Sequence, residues 1–263
     1  MVGGRGPVIS GMRMVGTNKA LGQHWLKNRE ILNEIASLAC GAGDVKTCLE
    51  IGPGLGTLTA SLLKRFDKVI AVEYDQRLAN NLPKSFPGTN LAVVNEDILT
   101  YDFEKITDPY VVAGNIPYYI TSPIIEKVLG VHNLPKRIVL LMQKEVAERI
   151  VSQKESVLSL MVKNRAKAYI GPTVPAREFT PPPKVDSAVI VLEPFSQGPK
   201  YPDEVFRIIK MAFVAPRKKL IHNLTGLKSK DELTRIFDQV GIDLNARPAD
   251  LHLKDYYDIM VLC

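Results

Sequence analysis

An α/β fold built on a doubly wound, mostly parallel sheet is the architecture this sequence predicts, followed by a small all-helical domain. Three observations carry that expectation. Short apolar runs of strand length recur through residues 48–192 and alternate with amphipathic segments of helical length. One turn, Gly52-Pro53-Gly54-Leu55-Gly56, sets glycines at alternate positions between such a run and the next helix. That is the form of a nucleotide-binding corner, because glycine accepts positive φ and lets a ligand approach the backbone. Residues 194–202 contain Pro, Gly and Ser and predict a linker, after which the pattern is helical.

Composition bounds the function. At 263 residues and 46% hydrophobic content, the chain can hold one full α/β domain and an appendage. The net charge of +6 suits a polyanionic partner without requiring one. Cys40, Cys48 and Cys263 form no C-x-x-C pair, and the scattered histidines lack ligand spacing. A disulfide framework and a protein-bound metal are therefore not expected, and a reducing, cytoplasmic setting is. No apolar run approaches the ~18 residues of a membrane span, so no membrane partner is expected. Residues 1–16 carry two arginines and no continuous apolar region, which predicts a flexible N-terminal tail rather than a signal peptide.

Taken in order, residues 17–26 read TNKALGQHWL, either an ordinary lead-in to a helix or a segment that closes over a cofactor. Asn28 is placed to cap a helix with Ile31, Leu32, Ile35, Leu38 and Ala39 on one face. Residues 48–51 form a strand that ends at the glycine corner, and a helix runs from 58 to about 65. The strand 69–73 ends in Glu73, where a ribose diol is gripped in such sheets. The alternative for Glu73 is a surface acid opening the next helix, with Asp75 as its cap. A helix over 76–86 and a strand over 91–94 lead to Asp97, either an acceptor for an adenine amino group or a loop cap. The strand 110–114 runs into Asn115-Ile116-Pro117-Tyr118-Tyr119. Four consecutive strands thus deliver polar residues at their carboxyl ends, the ligand-binding edge of an open α/β sheet.

Asn-Ile-Pro-Tyr suits transfer to an exocyclic amine. The adenine amino lone pair is conjugated into the ring, and acceptors for both N–H groups favour the pyramidal nitrogen of the transition state. The Asn115 side-chain oxygen and a nearby backbone carbonyl fill that role, Pro117 fixes the turn, and Tyr118 offers a face for a base to stack on. The base must leave its stack to enter, and catalysis rests on positioning and electrostatics, without a covalent intermediate.

Together these segments are recognisable. The G-x-G-x-G corner preceded by Glu50 resembles motif I of S-adenosylmethionine (SAM) methyltransferases. From about Thr17 to the C-terminus the chain resembles the ribosomal RNA adenine N6,N6-dimethyltransferase family, the KsgA type acting on small-subunit rRNA. LGQHWL, EIGPGLGTLT, Asn115–Tyr118, LMQKEVAERI, the loop from Phe179 to Ser187, and the segment from Met211-Ala212-Phe213 to Asn223-Leu224 carry the likeness. Trp25 departs from the usual Phe, and Ala215-Pro216 stands where a more basic run is common.

The resemblance implies a Rossmann-like SAM-dependent methyltransferase fold with a mostly parallel seven-stranded sheet. It implies a catalytic domain over 17–195 and a helical RNA-binding domain over 196–263. SAM would be contacted by His24, Leu26, Gly52, Gly54, Glu73, Asp97 and Asn115. Asn115, Pro117, Tyr118 and Phe179 would form the catalytic site, with Phe179 facing Tyr118 across the flipped base. The substrate would be two adjacent adenines in the 3′-terminal hairpin loop of small-subunit rRNA, dimethylated in the immature subunit during ribosome biogenesis. A large-subunit rRNA methyltransferase of the antibiotic-resistance type and a non-catalytic assembly factor are the alternatives. The extent of the C-terminal likeness argues against the first, and the intact Glu73, Asp97 and Asn115 against the second.

In the remaining chain, residues 137–142 predict a fifth strand, 144–151 and 156–164 helices, and 166–170 a strand. Residues 187–192 predict a last strand at a hairpin edge. The proline run 181–183 predicts a rigid lip on the site. Helices are expected from 203, over 231–240 and over 251–261. Arg217-Lys218-Lys219 is the clearest basic cluster, expected to contact RNA phosphates, although such a run is often only a solvated face. A monomer is expected.

Overall fold

The structure, a computed structural model, describes residues 23–263. The expected tail over 1–16 and the residues 17–22 that open the TNKALGQHWL stretch lie outside the described residues.

The chain opens with a two-residue strand, β1 (Trp25–Leu26), and α1 (Arg29–Cys40). Asn28 caps α1 by accepting the N–H groups of Glu30 and Ile31, as its side chain predicts. Five parallel strands follow: β2 (Thr47–Ile51), β3 (Lys68–Glu73), β4 (Leu91–Asn95), β5 (Tyr110–Asn115) and β6 (Ile138–Gln143). They are joined through α2 (Thr59–Leu62), α3 (Gln76–Ser85) and α4 (Thr121–Leu129). After α5 (Lys144–Val151) and α6 (Val157–Arg165) come β7 (Ala166–Val174), the short β8 (Phe179–Thr180) and β9 (Ser187–Pro194). The large sheet runs β4-β3-β2-β5-β6-β9-β7, with β9 antiparallel to both neighbours. This is the Rossmann-like methyltransferase architecture, and the reversal of strand order beside β2 places its binding crevice there.

Alternation along the central strands builds a core on each face. Leu49, Val112, Leu140 and Ile190 face α4, α5 and α6, while Cys48, Val111, Val139 and Val191 face α1 and α2. Strands covered on both sides read as unbroken apolar runs, and that explains one correction. The strand expected at a hairpin edge, β9, lies inside the sheet, and β7 is the edge. Ser187 to Leu192 are buried without interruption, as an interior strand requires. A second difference concerns the helix after the glycine corner, which is regular only over Thr59–Leu62.

The C-terminal helices are α7 (Val205–Ala212), α8 (Leu220–Asn223), α9 (Lys230–Val240) and α10 (Leu253–Leu262). They surround their own core of Ile209, Leu233, Phe237 and Tyr256, which Leu160 of α6 also enters. Asn164, fully buried at the end of α6, donates to the Tyr201 carbonyl at 3.0 Å and accepts the Tyr201 N–H at 2.9 Å. Arg165 pairs with Asp203. These bonds seat the helical layer on α6, which is buried on several sides.

Candidate active site

A cavity of about 320 Å³ opens at the carboxyl ends of β2, β3, β4 and β5. Its walls include His24, Leu26, Gly52, Gly54, Glu73, Asp97, Asn115, Pro117 and Tyr118. Nine of the sequence-expected residues, drawn from several separate segments, therefore meet in one place. Parallel strands end side by side, so residues about 20 apart in sequence become neighbours at the crevice.

The glycine corner is shaped as its spacing predicts. Gly52, Gly54 and Gly56 have φ of 63°, 57° and 82°. A Cβ on Gly54 would stand 3.0 Å from the indole nitrogen of Trp25, so the glycine admits both the turn and the strap of residues 23–28 that carries Trp25. The Gly54 N–H donates to Glu73 Oε2 at 3.0 Å, and the Asp75 N–H donates to Oε1 at 2.8 Å. Burial pushes the Glu73 carboxyl up from its ordinary value, and those backbone donors oppose the shift. Each oxygen keeps a lone pair, so the group can receive a diol. Asp75 also caps α3 by accepting the Arg77 N–H. Asp97 uses Oδ1 to accept the Leu99 N–H at 3.0 Å, and it lines the same cavity.

Asn115 is held by the strap. Its side-chain nitrogen donates to the His24 carbonyl at 2.8 Å, which leaves the side-chain oxygen as the group it offers the cavity. The Pro117 carbonyl is consumed by the turn, accepting the Ile120 N–H at 3.3 Å and the Thr121 hydroxyl at 3.5 Å. No bond within the turn uses the Ile116 carbonyl. The Tyr118 and Ser187 hydroxyls share a hydrogen bond of 2.7 Å. Burial raises the Tyr118 phenol above its ordinary value, the Ser187 bond opposing it. The His24 ring lies nearly parallel to the Tyr118 ring, centroids 5.9 Å apart, and its Nδ1–H donates to the Pro181 carbonyl at 2.8 Å.

Phe179 is not among the residues that line the cavity. It is 2% exposed, paired with Leu26 through β1 and β8, and packed in the core beneath. A phenyl ring next to Leu26, Val174 and Val189 gains more from burial than from a wet cleft. Arg217, Lys218 and Lys219 are exposed between α7 and α8, away from the cavity walls. Lys219 donates to Asn245 at 2.6 Å.

Sequence reasoning left Glu50 unassigned. It is 1% exposed, lines the cavity, and accepts the Thr59 hydroxyl at 2.6 Å. Burial, with a further push from Glu73, raises its pKa to about 8, so it is a neutral acid at pH 7. An acid inside an otherwise apolar strand was the available signal. Ser187 closes the motif loop that begins at Phe179, but its pairing with Tyr118 was hidden because it spans 69 residues.

A strand-end cavity with a glycine corner, a backbone-oriented acid after β3 and a second acid after β4 defines a SAM-dependent methyltransferase. The donor set fits the cofactor: the Glu73 carboxylate faces a cavity whose corner at Gly54 would be strained by any side chain. Among the described residues no group of three or more His, Cys, Asp or Glu side chains is placed to hold a metal ion. No described helix is long and apolar enough to cross a membrane.

Comparison with known proteins narrows the class. The family model described as Ribosomal RNA adenine dimethylase matches residues 14–263. A relative from Rippkaea orientalis, named Ribosomal RNA small subunit methyltransferase A, is 40% identical over 90% of this chain and 94% of its own. Its namesake from Nostoc sp. is 38% identical over 92% of this chain and 96% of its own. A dimethyladenosine transferase from Plasmodium falciparum superposes with a TM-score of 0.75 at 28% identity, covering 90% of this chain and 96% of that one. The 23S rRNA methyltransferase ErmE gives 0.71 at 26% identity, covering 90% and 98%. The chain belongs to the ribosomal RNA adenine dimethylase family.

Proposed function

We propose that this enzyme transfers methyl groups from SAM to the exocyclic nitrogen of adenine in small-subunit rRNA. It dimethylates two adjacent adenines in the 3′-terminal hairpin loop of the immature small subunit. The curated relatives that match across nearly the whole chain bear small-subunit names, which favours this reading over a large-subunit target. The likeness to ErmE is explained by the shared fold. We also take residues 17–195 as the catalytic domain and 196–263 as an RNA-binding domain acting in a monomer. The cytoplasm is the setting in which such a substrate is met.

The observation that carries the mechanism is the Asn115–His24 bond. When bound, SAM supplies an electrophilic methyl group. Glu73 would hold the ribose diol and Asp97 the cofactor adenine. Leu26, Gly52 and Gly54 close the remaining walls. The target adenine leaves its stack, enters the cavity and rests against the Tyr118 ring, whose hydroxyl Ser187 holds still. Its two amino hydrogens are accepted by Asn115 Oδ1 and the Ile116 carbonyl. Acceptors so placed localise the lone pair on nitrogen and favour its pyramidal form. Pro117 keeps these acceptors in register, because its φ of −60° is fixed by the ring. The proton of the methylated nitrogen passes to water, since Tyr118 is neutral and already hydrogen-bonded. Phe179 acts by position, holding β8 against the strap that carries His24.

The test is the Asn115→Ala variant. RNA and SAM binding retained with methyl transfer lost supports the assignment. Unchanged transfer removes Asn115 from it.

A further inference from the structure

We propose that Tyr119 is a substrate-stacking residue, a platform for the nucleotide next to the flipped adenine in the RNA strand. The inference rests on the adenine methyltransferase reading and adds a contact to the same site.

Among the described residues only two Phe, Tyr or Trp side chains are exposed, Tyr74 at 64% and Tyr119 at 62%. Both line the one cavity. Tyr74 follows the ribose-gripping Glu73 and so stands at the cofactor end. Tyr119 follows Tyr118 and stands at the end where the base enters. The two neighbouring tyrosines are used differently. The Tyr118 hydroxyl is tied to Ser187 and its ring lies beside His24. Tyr119 makes no side-chain hydrogen bond or ring contact with other described residues.

Tyr119 therefore contributes little to the fold, while leaving a ring in water forgoes the burial that aromatic side chains usually gain. A base that enters the cavity draws its covalently linked neighbours to the rim, where this ring stands. Stacking on an aromatic face tolerates any base and is strong enough to matter. Holding the adjacent base at the rim also keeps it near the pocket that must accept it next.

The experiment compares the unaltered protein with Tyr119→Phe and Tyr119→Ala. The probe is an RNA hairpin carrying 2-aminopurine beside the target adenine in the loop, whose fluorescence falls on stacking. SAM affinity and methyl transfer to immature small subunits are measured in parallel. Stacking predicts that Tyr119→Phe quenches and binds as the unaltered protein does. Tyr119→Ala should lose the quenching and weaken hairpin binding roughly 5- to 150-fold, with SAM affinity unchanged. Equal quenching and affinity for Tyr119→Ala would overturn the inference and leave the methyltransferase reading intact. Loss of SAM affinity in Tyr119→Ala would overturn it by moving the residue to the cofactor site. No transfer by the unaltered protein would overturn both.

Discussion

Asn115 and Glu50 show how single side chains are set by their partners in the fold. The Asn115 amide is oriented by the His24 carbonyl, 91 residues distant, so its oxygen meets the substrate without a search among rotamers. Truncation to Ala should lower kcat about 100- to 1,000-fold, the cost of losing one preorganised polar group at a reacting centre. A single-turnover assay with saturating SAM reads that loss. Glu50 carries a pH dependence of stability. The unfolded chain releases this proton near 4.5, whereas the folded chain keeps it until about 8. Between those values the folded state binds more protons, so stability falls as pH rises, on the order of 1 kcal/mol per pH unit. Above about 8 the fall ends. Glu50→Gln should flatten that slope in the cofactor-free protein, measured by urea unfolding from pH 5 to 9, and an unchanged slope would refute it.

Among the elements, the strap from Gln23 to Asn28 gathers the site. Trp25 covers the glycine corner, His24 reaches Pro181, and Asn28 Nδ2 donates to Glu178 at 3.0 Å while its oxygen caps α1. Gly54→Ala meets both an unfavourable φ and the Trp25 ring, at a cost of about 1–3 kcal/mol. Gly43, with a φ of 86° and open space around it, serves as the control. Both Ala variants should lower the thermal midpoint, and only Gly54→Ala should weaken SAM binding in calorimetry. These elements were unequally legible. The parallel strands, the caps at Asn28 and Asp75 and the corner were plain, because periodicity and capping are local. The pairing of β1 with β8 was not, since two-residue strands have no period and their register depends on residues far apart in the chain. The interior place of β9 was written in its unbroken SAVIVL, which means cover on both faces rather than an edge.

For the whole molecule, the two layers are joined through α6, with Leu160 in the helical core and Arg165 paired to Asp203. A rigid junction would let the helical layer fix how RNA lies across the crevice. Replacing Arg217, Lys218 and Lys219 together with Ala should weaken RNA binding while leaving SAM affinity unchanged. It should also flatten the dependence of log K on log salt by about 0.7–0.9 for each phosphate that the variant no longer neutralises. An unaltered salt slope would leave that cluster a solvated face. The central claim is that a preorganised Asn-Ile-Pro-Tyr turn beside a SAM cavity dimethylates small-subunit rRNA. The most direct measurement is transfer of labelled methyl groups from SAM to immature small subunits, followed by nucleoside analysis. The account predicts N6,N6-dimethyladenosine in the 3′-terminal hairpin. Label only in large-subunit RNA, or none with SAM still bound, would contradict it.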